Sequence, residues 1–223
     1  MKDLFGNEIV EDVLLRDKFI EPPFSVLDTR GGNWQGRKRA WLSKGIKSEV
    51  GRNDNLTFTG AAAQFDYYRV KEGKRANTDE QSTSIFDPVL TELMYRWFCP
   101  DGGAILDPFA GGSVRGIVAN YLGYKYAGIE LRQQQVESNR EQALNILPIN
   151  NQPQWYVGDS DRILDEIWNK FEFIFSCPPY ANLEVYSDLP DDLSNMNYKD
   201  FIIKYLSIIG KAIKLLKPGR FAC

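Results

Sequence analysis

The sequence predicts an α/β fold of the doubly wound kind, a mostly parallel sheet with helices on both faces. Three observations predict it. Apolar runs that read as buried strands alternate with amphipathic helical stretches through the second half of the 223 residues. One of these runs, Ile105-Leu106-Asp107, passes at once through Pro108-Phe109-Ala110-Gly111-Gly112-Ser113 into a helix. A strand, a tight glycine turn and a helix N-terminus form a cradle for a nucleotide-like ligand. Acids also close three successive strands, at Asp107, Glu130 and Asp159, as a nucleoside pocket at the carboxyl edge of a sheet requires.

In chain order, residues 1–82 read as a basic and aromatic extension, partly irregular, and residues 83–223 as the α/β core. Glu21-Pro22-Pro23-Phe24 breaks any helix near the start. A short basic helix is expected from Trp34 to Lys47, then an irregular stretch over 48–82. Val89, Leu90, Leu93, Met94 and Trp97 lie on one helical face, with Pro88 suited to the first turn. The first core strand, Ile105–Asp107, leads to a helix from Val114 to Leu122, stopped by Gly123. Tyr126–Glu130 is the second strand and Arg132–Ile146 a Gln-rich helix. A third strand begins at Trp155 and exits through Gly158-Asp159-Ser160 into a helix marked by Ile163, Ile167 and Trp168. Phe171–Phe175 is a fourth, central strand that carries Ser176-Cys177-Pro178-Pro179-Tyr180 to the ligand edge. Residues 184–197 form an acidic loop over the site, and Tyr198–Lys217 a long helix with Phe201, Ile202, Tyr205, Leu206, Ile209, Ile213 and Leu216 at helical spacing. A strand starts again at Arg220. Four clear strands and the start of a fifth predict a sheet incomplete at its C-terminal end, hence a chain that is the N-terminal part of a longer protein. Strand four would then have an unpaired edge unless the extension or a second subunit covers it.

Composition narrows the function. The chain has no His and three scattered Cys, which disfavours a zinc site, a disulfide framework and His-activated nucleophiles. No apolar run is long enough to span a bilayer, and the N-terminus lacks a signal core, so a cytoplasmic chain is expected. The glycine spacing is not that of a dinucleotide loop, and no Lys follows it for a phosphate loop. Glu130 stands about 20 residues past the glycine turn, where doubly wound folds place a carboxylate that accepts from two ribose hydroxyls. Arg30, Arg37, Lys38, Arg39, Lys44, Lys47 and Arg52 cluster in a chain of net charge −3, with Trp34 and Trp41 among them. Such a run is compatible with a solvated face; guanidinium and indole groups together also suit phosphate contacts and base stacking.

Asp107-Pro108-Phe109-x-Gly111, followed by Phe175-Ser176-Cys177-Pro178-Pro179-Tyr180, resembles the S-adenosylmethionine-dependent amino-methyltransferases of DNA, with a Rossmann-like sheet. The likeness is closest to methylases of the kind carried by bacteriophages, as in restriction-modification. It extends to Pro23–Asp28, Trp34–Arg39 and Leu183–Ser187. It implies S-adenosylmethionine as cofactor, held by Ser84, Phe86, Asp107, Pro108, Phe109, Gly111, Glu130, Asp159 and Ser160. Asp159 resembles the position that accepts from the adenine amino group, and it is equally able to cap the next helix. The resemblance implies transfer to adenine N6 or cytosine N4 at Cys177, Pro178, Pro179 and Tyr180, without a metal. The partner is double-stranded DNA with the target base flipped out, and Arg37, Lys38 and Arg39 are expected to contact it.

The chemistry agrees. An exocyclic amine is a poor nucleophile because its lone pair is delocalised into the ring. A rigid Pro-Pro turn aims carbonyls at the amine hydrogens, and Tyr180 offers a π face to the base. The family usually has Asp, Asn or Ser where this chain has Cys177, and often a further Gly where it has Ser113. Cytosine C5 methylation through Cys177, an RNA or protein-amide methyltransferase on the same fold, and a non-catalytic module that binds cofactor and DNA are the competing readings.

Overall fold

A computed structural model of the chain describes residues 27–47, 86–180 and 186–223. Ser84 and the stretches 1–26, 48–85 and 181–185 lie outside the described residues.

Helix α1 (Gly32–Leu42) precedes α2 (Pro88–Phe98). Asp87 starts α2 by accepting from the Val89 and Leu90 amides, and Pro88 fills the position whose N–H has no helical partner. The core then runs β1 (Ala104–Asp107), α3 (Val114–Tyr121), β2 (Lys125–Glu130), α4 (Gln133–Ile146), β3 (Gln154–Val157), α5 (Ser160–Glu166) and β4 (Phe171–Ile174). A 3-10 turn at Leu193–Asn195, α6 (Tyr198–Leu215) and β5 (Leu216–Ala222) follow. The five strands lie in the order β3-β2-β1-β4-β5, and every pairing is parallel.

The strands alternate between two cores, as period two demands. Ile105, Tyr126 and Phe173 join one with Trp34, Leu93, Ile117 and Val136, so α1 to α4 cover that face. Leu106, Ala127 and Ile174 join the other with Leu164, Phe201 and Ile208 from α5 and α6. Gly116 lets α3 approach the sheet: a Cβ there would lie 2.6 Å from the Trp155 ring and 3.1 Å from that of Tyr126.

Three expectations are corrected. Strand β4 has no bare edge, because β5 pairs with it through Phe171–Leu216, Phe173–Phe221 and Ile174–Ala222. Lys217-Pro218-Gly219-Arg220 forms an irregularity between those pairs, with Gly219 at φ +70. Trp168 does not pack; it is 88% exposed beyond the end of α5. Trp34 and Trp41 are not offered for base stacking, being core residues at 2% and 4% exposure. Indole area is worth more buried against α2 and α3 than held out in water.

Candidate active site

The winding reverses between β1 and β4, which opens a crevice at the carboxyl ends of the strands. A cleft of about 240 Å³ occupies it, lined by turns from β1 to β4 and by the segment before α6. Among the described residues expected at a cofactor site, Phe86, Pro108, Phe109, Gly111, Glu130, Asp159 and Ser160 all line it. Cys177, Pro179 and Tyr180 line it too, and Pro178 stands between them in the turn.

The turn after β1 is set by its backbone. Gly111 has φ +53, a left-handed conformation that costs other residues strain, and no protein atom lies within 4 Å of where its Cβ would be. Its amide donates to Glu130 Oε2 at 3.0 Å, while the Arg132 amide donates to Oε1 at 3.0 Å. Glu130 is therefore fixed at the end of β2, with Oε2 on the glycine turn and Oε1 on the start of the segment that follows it. Burial pushes its carboxyl above the ordinary value, against the lowering effect of the Arg132 and Gly111 amides and the Arg132 guanidinium.

Asp107 is placed elsewhere than a ligand-facing acid would be. It is fully buried and does not line the cleft. Oδ2 accepts from Arg115 Nε at 2.6 Å and Tyr126 OH at 2.7 Å. Oδ1 accepts from Ser176 Oγ at 2.6 Å and the Phe109 amide at 3.2 Å. Four donors hold this carboxylate behind the turn after β1, which is how a buried charge is tolerated. The same Arg115 donates from Nη2 to the carbonyls of Phe109 (2.7 Å) and Ala110 (3.0 Å) and sits 4.5 Å from the Phe86 ring centroid. Burial alone would lower the Arg115 pKa, but Asp107 and its neighbours raise it further above the ordinary value. Tyr126 is pushed well up by burial first and by the Asp107 charge second.

Asp159 caps α5 by accepting from the Asp161 amide at 3.0 Å, and it also lines the cleft, so the two readings of this residue coexist. Its Oδ2 lies 3.0 Å from Lys204 Nζ, which also reaches Asp191 at 3.1 Å. Ser160 Oγ donates to the Pro108 carbonyl at 2.5 Å, tying the β3 exit to the β1 turn. The segment before α6 is organised by Asp192, which accepts from Ser187 Oγ (2.6 Å), the Ser194 amide (2.9 Å) and Ser194 Oγ (2.7 Å). On the β4 side, Cys177 Sγ stands 3.9 Å from Tyr180 OH, and Tyr180 is 59% exposed at the cleft.

The basic residues of α1 divide. Arg37 Nε donates to Glu92 Oε2 at 2.6 Å and its Nη2 pairs with Oε1; Trp41 Nε1 and Arg96 complete the shell of that buried acid. Lys38 pairs with Asp87 at 3.1 Å. Arg39 is exposed. Arg37 and Lys38 thus dock α1 onto α2, a structural use of charges expected at DNA.

Sequence reasoning missed Arg115, Arg132, Gln135 and Lys204 as cleft residues. Arg115 carried a signal: it is a charge in a helix start otherwise made of Val114, Gly116, Ile117 and Val118. Lys204 carried none, because a lysine on a long helix is ordinary.

No family model matches the sequence, and no curated protein matches it. Among solved structures, TrmN from Thermus thermophilus is 20% identical over 60% of this chain and 36% of its own, with a TM-score of 0.47. TehB from Haemophilus influenzae is 14% identical over 70% of this chain and 43% of its own, with a TM-score of 0.45. The O-methyltransferase TomG from Streptomyces achromogenes, in complex with SAM, is 15% identical over 88% and 73%, with a TM-score of 0.44. The chain spans about a third of the Thermus protein and less than half of the Haemophilus one. At these scores the likeness adds nothing to what the sheet order already displays.

Proposed function

We propose that this chain is an S-adenosylmethionine-dependent methyltransferase acting on the exocyclic amine of adenine or cytosine in double-stranded DNA. One observation carries the reading: Glu130, fixed against the Gly111 amide, shares a single cleft with the Cys177–Tyr180 turn. The first pair suits a nucleoside with free ribose hydroxyls, and the second suits a planar base.

The residues present fit the cofactor. Glu130 retains acceptor capacity for hydroxyl donors, Asp159 for an amine, and the turn at Gly111 is open toward a ligand. When bound, S-adenosylmethionine supplies an electrophilic methyl group on a positively charged sulfur. The protein's part is to orient and to exclude water. Phe86 and Phe109 give the cleft apolar walls. Pro178 and Pro179 hold the turn after β4 rigid, so that its carbonyls accept from an amine without a side-chain acceptor at Cys177. Tyr180 is exposed enough to stack on an extruded base.

A second reading has its own observation, the Cys177 thiol lining the same cleft. In cytosine C5 chemistry a thiolate adds to the ring before transfer. One experiment tests both: labelled methyl transfer from S-adenosylmethionine to DNA, followed by nucleoside analysis. Label in N6-methyladenine or N4-methylcytosine is expected. Label in 5-methylcytosine selects the thiol route, and cofactor binding without transfer to DNA overturns the DNA reading.

A further inference from the structure

Ser176 is the last residue before the Cys177–Tyr180 turn, yet its hydroxyl is directed to β1. It donates to Asp107 Oδ1 at 2.6 Å and accepts from the Phe109 amide at 3.1 Å. The backbone of Phe109 is thereby held on both sides of its Cα, its N–H by Ser176 and Asp107, its carbonyl by Arg115. Asp107 is immobile in turn, since Arg115 and Tyr126 occupy its other oxygen. Among the described residues, the backbone adds nothing between these two turns beyond the Phe175 amide on the Leu106 carbonyl at 3.1 Å; the Ser176 amide is given to Cys223. One hydroxyl therefore joins the turn expected to hold the methyl donor to the turn expected to hold the acceptor.

We infer that Ser176 is a positioning residue that sets the spacing between the Phe109–Gly111 turn and the Cys177–Tyr180 turn. This rests on the proposal that the cleft is a methyl-transfer site. Direct transfer requires acceptor nitrogen, methyl carbon and sulfur in line, and a misplacement of about 1 Å costs on the order of 100-fold in rate. Two turns carried by neighbouring strands need such a fastening, because strand pairing ends before either turn begins. Ser176 touches neither the cleft nor a reacting atom, so its effect passes through the two turns it joins.

The test uses the full chain with Ser176→Ala and, as the conservative variant, Ser176→Thr. In hydrogen exchange, Ser176→Ala is expected to speed the Phe109 amide by about tenfold or more and to deprotect the peptide over 176–180, with β2 and β3 unchanged. In methyl transfer to DNA, it is expected to lower kcat by about 10- to 100-fold while the Kd for S-adenosylmethionine stays within about threefold. Ser176→Thr, which keeps the hydroxyl, restores both. Unchanged exchange at Phe109 and 176–180 in the Ala variant overturns the inference, as does a Kd that rises in step with the loss of kcat. The exchange measurement needs no ligand. A wild-type chain that binds no S-adenosylmethionine overturns the functional proposal instead, whatever the variant's exchange.

Discussion

Two carboxylates, the buried Asp107 and the partly exposed Glu130, separate structure from recognition at the residue scale. Asp107 has a full shell of protein donors, whereas Glu130 has one amide on each oxygen and a pKa raised by burial. The second is poised for further donors. Glu130→Ala is expected to weaken S-adenosylmethionine binding by about 1.5–3 kcal/mol, the scale of hydrogen bonds to a charged group. Titration calorimetry checks it, and undiminished affinity in a folded variant removes Glu130 from the site. Glu92 gives a pH prediction. Burial acts to raise its pKa, but Arg37, Trp41 and Arg96 together hold it below the ordinary 4.5. A carboxyl depressed in the folded state contributes stability that is complete above about pH 4.5 and lost as pH falls through the folded value. Glu92→Gln should therefore cost about 1–3 kcal/mol at pH 7 and less at acid pH, measured by urea unfolding at each pH.

At the scale of elements, helix α3 and helix α6 make opposite points about periodicity. In α3, the glycine that propensity disfavours is the residue packing requires. Gly116→Ala would gain about 1 kcal/mol on an open helix. Here its Cβ meets the Trp155 ring at 2.6 Å, so a net loss of about 1–3 kcal/mol is expected in chemical denaturation. A stabilised variant would show that α3 does not lie this close to β2 and β3. In α6, six of the seven apolar positions read at helical spacing lie in the helix, the seventh, Leu216, opening β5, yet the helix buries Phe201, Ile208 and Ala212 and leaves Leu206 and Ile213 exposed. Its apolar residues form one broad face, wider than the strip that Phe201, Ile208 and Ala212 bury, so spacing alone does not select which part of that face packs.

Over the whole molecule, the charges of α1 test whether it meets a nucleic acid. Arg37 and Lys38 are committed to Glu92 and Asp87, and Arg39 is exposed. If DNA is the substrate, Arg39→Ala should lower the salt dependence of DNA binding by about one unit of slope and leave folding stability alone. Arg37→Ala should instead lower stability through the bared Glu92. Equal effects of the two variants on DNA affinity at wild-type stability would show that α1 does not discriminate between them.

By itself the sequence determined whatever depends on local order: the strand–turn–helix unit at Asp107–Ser113, the helix from Pro88, the acid at Glu130 and the turn at Pro178-Pro179. Each of these is written in residues a few positions apart, where period, proline and glycine act directly. Only the tertiary structure decided how distant residues share charge and space. It sent Trp34 and Trp41 inward, because α2 offered Glu92 and Asp87 as acceptors for their indole N–H groups. It withdrew Asp107 from the cleft, because Arg115, Tyr126 and Ser176 converge on that carboxylate from three other segments. Those partners lie 8, 19 and 69 residues away, and long-range pairing of buried polar groups leaves no period in a sequence.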